Sequence, residues 1–111
     1  MADFPGTWQT DGFTQLTLST YAGRMSGTFT SSDGILHYAT GPVPSGNPPQ
    51  QWDALVIRVT PQHCVAELTV RFNIVSNTPA LMQSQLTGTN GACGLGVNHP
   101  EPPRTWTFVG L

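Results

Sequence analysis

From Cys64 to Val75 every even-numbered position is apolar, while four of the six odd-numbered ones are polar. Cys64, Ala66, Leu68, Val70, Phe72 and Ile74 fall on one side; Val65, Glu67, Thr69, Arg71, Asn73 and Val75 fall on the other. A period of two belongs to a strand with one face buried, so the first set is expected inside and the second mostly in solvent. No stretch sustains helical periodicity over three turns, whereas Thr-rich alternation recurs throughout. Strands are expected at 5–10, 13–20, 24–31, 35–40, 52–60, 64–75, 80–88 and 104–110. The breaks between them are turn chemistry: Asp11-Gly12, Ala22-Gly23, Asp33-Gly34, Pro61-Gln62-His63 and Asn77-Thr78-Pro79. Two longer breaks, 41–51 and 90–103, are rich in Gly and Pro and cannot continue a strand.

Short runs joined mostly by tight turns predict an all-β fold, an eight-stranded antiparallel up-and-down barrel that leaves no edge exposed. Residues 1–111 have the size of a single domain. A β-sandwich is the alternative architecture. Trp8 near one end and Trp106 near the other predict that the first and last strands meet. Gly-Thr recurs at residues 6, 27 and 88. Glycine weakens a strand interior, so its recurrence predicts close backbone approaches or bends at barrel corners.

Charge narrows the partners. Charged residues make up only 9% of the chain, lysine is absent, and the net charge is −2. The four arginines, Arg24, Arg58, Arg71 and Arg104, form no cluster, which argues against nucleic acid and against an anionic membrane surface. No apolar run reaches the length of a membrane span. The polarity comes from Ser, Thr, Gln and Asn, unlike that of a charge-rich disordered chain. Met1 to Pro5 show neither a charged nor an apolar signal region, so no signal peptide is visible and the compartment is left open.

An up-and-down path sorts the turns between two ends. If the first strand runs upward, Asp11-Gly12, Ser32-Asp33-Gly34, Pro61-Gln62-His63 and the 90–103 loop gather at the upper end. Ala22-Gly23, the 41–51 loop, Asn77-Thr78 and both termini gather at the lower end. Cys64 and Cys93 are then both at the top, as a Cys64–Cys93 bridge or as two thiols.

Gly6-Thr7-Trp8 and Met25-Ser26-Gly27-Thr28-Phe29 resemble the first and third strands of the avidin/streptavidin family. Gln51-Trp52, the stretch Leu81 to Gly91, and Arg104-Thr105-Trp106-Thr107-Phe108 resemble its fifth, seventh and last strands. The resemblance covers most of the chain through short motifs, and it implies the family's barrel. It also implies that the biotin cage is largely replaced. The ureido-oxygen ligands of the family fall on Thr10, Thr14 and Phe29, and its third-strand hydroxyl on Ser31. Its tryptophan walls fall on Val56, Leu68 and Leu86, and the sixth-strand Ser and Thr on Cys64 and Ala66. The Asp that receives a ureido nitrogen falls on Arg104, which exchanges an acceptor for an obligate donor. Removing partners from a buried hydrogen-bonded site lowers affinity steeply, so biotin is not the expected ligand.

The same alignment sets Arg58 and Arg104 on lumen faces near the upper mouth with Thr10, Thr14 and Ser31. A guanidinium stays charged and offers a planar fork to carboxylates. The expected ligand is therefore a small anionic or carbonyl-bearing organic molecule, its apolar part among Phe29, Leu68, Leu86 and Trp106. The plain alternative is that the arginines reach solvent or pair with Asp11, Asp33 or Glu101. Trp8, Trp52 and Trp106 read as core fillers before ligand stackers. His63, Cys64, Cys93 and His99 lack zinc-site regularity, so no metal or cofactor is expected. His37 beside Tyr38 is a structural histidine or a general base. A non-catalytic binding barrel heads the expectations. A small cyclase or isomerase acting by proximity and desolvation is second. A glycan- or protein-binding module using the 90–103 loop is third. A polar outer face at Thr69, Arg71, Gln83, Gln85 and Thr87 permits a homodimer or homotetramer.

Overall fold

The computed structural model describes residues 3–32, 34–44, 46, 50–60, 64–91 and 103–110. Eight strands follow in chain order: β1 (Gly6–Gln9), β2 (Leu16–Tyr21), β3 (Arg24–Thr30), β4 (Leu36–Pro42), β5 (Gln51–Val59), β6 (Val65–Asn77), β7 (Ala80–Gly91) and β8 (Arg104–Gly110). Each pairs antiparallel with the next, and β8 pairs with β1, so the sheet is a closed up-and-down barrel and not a sandwich. The closing seam sets Trp8 opposite Phe108, with the rings edge-on at 5.1 Å.

Burial follows the alternation. In β6, Ala66, Leu68, Phe72 and Ile74 are buried while Val65, Glu67, Thr69, Arg71 and Val75 are exposed. All three Gly-Thr glycines mark close approaches, that of Gly88 being to the Thr69 hydroxyl. A Cβ on Gly6, which has φ +133°, would collide with the Phe108 ring, and one on Gly27 would collide with the Thr17 carbonyl and the Leu16 side chain. The third, Gly88, does not close β7, which runs on to Gly91. Just before it the ladder slips by one residue at Thr87, whose hydroxyl donates to the Thr69 carbonyl at 2.9 Å.

β2 begins at Leu16 rather than at residue 13. The cause lies in Thr14, whose hydroxyl accepts the Thr30 N–H at 2.9 Å while its own N–H donates to the Thr30 carbonyl at 2.8 Å. A side chain thus takes the place of a ladder bond. Phe13 keeps only an isolated bridge to Ser31, and its ring turns into the barrel mouth.

The lower half of the lumen is filled by aromatic rings, as an eight-stranded barrel allows. Phe4, just ahead of β1, is fully buried, and its carbonyl accepts the Trp8 indole N–H at 2.9 Å. Its ring lies 6.4 Å from that of Trp52, which in turn packs on Phe72 at 5.3 Å. Leu16, Leu18, Met25 and Met82 complete this floor. Space is left above it.

Candidate functional site at the upper end of the barrel

Strand register builds the upper lumen. Phe29 of β3 lies opposite His37 of β4, which lies opposite Arg58 of β5, so these three side chains stand abreast on the inner wall. Phe29 and His37 stack nearly parallel at 4.8 Å and 10°. His37 is buried, and its Nδ1–H donates to the Ile35 carbonyl at 3.0 Å, which fixes the tautomer in that orientation.

On the other side of the lumen, Ser84 of β7 lies opposite Arg104 of β8. Trp106, one inward position below Arg104, donates its indole N–H to the Ser84 hydroxyl at 2.9 Å. An indole N–H can only donate, so Ser84 must accept there. Arg104 lies over the Phe13 ring, its guanidinium carbon 4.5 Å from the centroid, and donates to the Asp11 carbonyl at 3.4 Å. Among the described residues it has no carboxylate partner; the ion pair there is Arg71–Asp53, on the outer wall.

These side chains enclose a cavity of about 80 Å³. One wall is aromatic, made by Phe13, Phe29 and Trp106, with the Phe13–Phe29 and Phe29–Trp106 pairs edge-on at 5.3 and 5.4 Å. The facing wall is aliphatic, made by Val56, Leu68, Val70 and Leu86 from β5 to β7. Arg58, Arg104, His37 and Phe13 also border a shallower depression of about 330 Å³ outside it, so they form the rim between the two. Arg58 and Arg104 are the charged side chains among the described residues lining the two spaces; Asp33 and Glu101, two of the carboxylates expected as their partners, lie outside the described residues.

Of the nine residues singled out from the sequence, Phe29, Arg58, Leu68, Leu86, Arg104 and Trp106 line the cavity. Ser31 borders the outer depression, and its hydroxyl accepts the Ile35 N–H at 3.2 Å. Thr10 and Thr14 are apart from both spaces. The Thr10 hydroxyl donates to the Thr105 carbonyl at 2.8 Å, so both threonines serve the backbone. Trp8 and Trp52 are core fillers, whereas Trp106 reaches the cavity. Residues 61–63 and 92–102 lie outside the described residues. With them go Cys93 and its pairing with Cys64, the His63–His99 set, and most of the 90–103 loop.

Phe13 and Ser84 also line the cavity and are not among the residues the sequence singles out. Inward parity with Met82 and Leu86 was the available signal for Ser84. No local signal marks Phe13, which is turned inward by the bond between Thr14 and Thr30. Comparison with protein-family models, curated proteins and solved structures gives no significant match.

Proposed function

We propose that this chain is a non-catalytic barrel of avidin-like build that holds a small anionic or carbonyl-bearing organic molecule in its upper lumen. The observation that carries the reading is a cavity apolar within and rimmed by the side chains of Arg58 and Arg104. A low-dielectric pocket beneath two guanidiniums attracts anions and rewards the burial of their apolar part. Native mass spectrometry of the purified protein tests this through the retention of a small molecule. Arg58→Gln and Arg104→Gln should each weaken that retention. A protein that carries nothing and binds no small anion would sink the proposal.

A second reading, a cyclase or isomerase, draws support from His37. A buried imidazole with a fixed tautomer, set between Phe29 and Arg58, is suited to moving a proton on a bound carbonyl compound. Turnover of a retained molecule, lost in His37→Gln, would favour it.

The proposal extends to assembly and redox state. Leu36, Val59 and Val65 share one rung of the outer wall, with Leu36 44% and Val65 53% exposed, which favours association through the wall as a homodimer or homotetramer. Light scattering reads that state directly. Intact mass before and after reduction reads the Cys64–Cys93 bridge.

A further inference from the structure

We infer that the upper lumen takes a planar, single-ring aromatic carboxylate, and that Ser84 and Arg104 together receive its carboxylate. This rests on the binding reading above and sharpens it to one class of ligand. Three observations lead to it, from size, shape and the count of free donors.

Size limits the ligand to one ring. A closed apolar cavity of about 150 Å³ accommodates benzene. The space here is about 80 Å³, roughly half of that, and it opens into the outer depression, so at most one ring enters it, only partly enclosed, with a polar substituent at the rim. Shape favours a flat one. Phe29 and Trp106 offer ring surfaces on one side, while Leu68 and Leu86 close the other with methyl groups. Aromatic partners gain from offset or edge-on contact with such rings, whereas a puckered ring needs more depth.

Donor accounting locates the carboxylate. Ser84 accepts from Trp106, and its own O–H has no acceptor among the described residues, although Ser84 is buried and lines the cavity. Arg104 has five N–H groups and uses one, weakly, on Asp11. The two residues are direct cross-strand partners, so their Cβ atoms are about 4.5–5.5 Å apart. One carboxylate can then take the Ser84 O–H on one oxygen and the guanidinium on the other. The Trp106 indole, bonded to the same Ser84 oxygen, becomes the reporter of that event.

The test titrates the protein with benzoate, benzamide, cyclohexanecarboxylate and hexanoate while the Trp106 indole N–H resonance is followed. Benzoate is expected to move that resonance and to bind at least about tenfold more tightly than the other three. Arg104→Gln and Ser84→Ala should each weaken benzoate by about 10-fold to 100-fold, the range of a charge-assisted hydrogen bond. Because Ser84→Ala also strips the Trp106 indole of its acceptor and endangers folding, Arg104→Gln carries the decision if that variant is not folded. Equal binding of cyclohexanecarboxylate, or unchanged benzoate affinity in Arg104→Gln, overturns the inference. Suppose no probe binds, yet a molecule retained from expression is expelled by the lumen-filling Leu68→Trp. Then the ring-acid inference falls and the lumen reading stands. A retained molecule indifferent to Leu68→Trp, or no binding of any kind, overturns both.

Discussion

Arg104 lies on the face of Phe13, guanidinium carbon to ring centroid 4.5 Å, so a residue outside the named strands holds one of the two rim arginines in place. The cation is attracted to the ring face and is thereby kept from swinging fully into solvent. Phe13→Leu retains apolar bulk and removes that face. We expect a stability loss of about 0.5–1 kcal/mol. The ring-current shift of the Arg104 side-chain protons should vanish in the same variant, as read by NMR. A persistent shift would contradict the stacking.

Phe4 is the stopper of the lower end. Its ring is fully buried against Trp52, so Phe4→Ala leaves a hole among rings that relax poorly. The expected cost is about 3–5 kcal/mol. Calorimetry should show a fall in Tm on the order of 15 °C. Since the bond from Trp8 goes to the Phe4 backbone carbonyl, it survives the substitution, and a fall of only a degree or two would mean that the ring does not fill the lumen.

Ala22 holds a φ of +53° ahead of Gly23 at +79°, a pair of left-handed residues in the β2–β3 hairpin. The first of these positions suits Asn far better than Ala, whose Cβ meets the carbonyl oxygen there. Ala22→Asn should therefore stabilise the protein by about 0.5–1 kcal/mol. Chemical denaturation should show a higher midpoint at constant slope, and Ala22→Val should shift it the other way.

Asp53 is paired with Arg71 across the β5–β6 ladder on the outer wall. The hydrogen bond from Arg71 Nε at 2.9 Å, aided by that residue's charge, holds its carboxyl below the ordinary value of 3.8. A depressed folded pKa gives stability that is present above the unfolded value and lost as pH falls through the folded one. Both side chains are about half exposed, so water screens the pair and its worth is at most about 1 kcal/mol. Asp53→Asn should trail the parent protein by that margin or less at neutral pH. The two melting curves should converge as pH falls below about 4. A gap that widens in acid would reverse the assignment.

The frame of the molecule was open to reading because it rests on local patterns. Alternation in 64–75, turn dipeptides and a tryptophan near each end were enough for eight strands and their closure. The inner-facing Phe29, Arg58, Leu68, Leu86, Arg104 and Trp106 followed from parity and from the resemblance. What escaped depends on bonds between distant residues. Thr10 and Thr14 looked like free hydroxyls, yet each is engaged with backbone, at Thr105 and Thr30. Phe13 belongs to the mouth only because Thr14 breaks the ladder. Ser84 matters through Trp106, twenty-two residues later, and no window of sequence shows that pair.

The ring of Phe4 beneath Trp52 and Phe72 makes the barrel a cup instead of a tube. Among the described residues, these rings close the lower end to a molecule entering from above. An occupant cannot be pushed out from behind, so a competitor waits for departure. For a molecule held as proposed, the lifetime of the bound state would then be set at the upper rim, where Arg104 rests on Phe13.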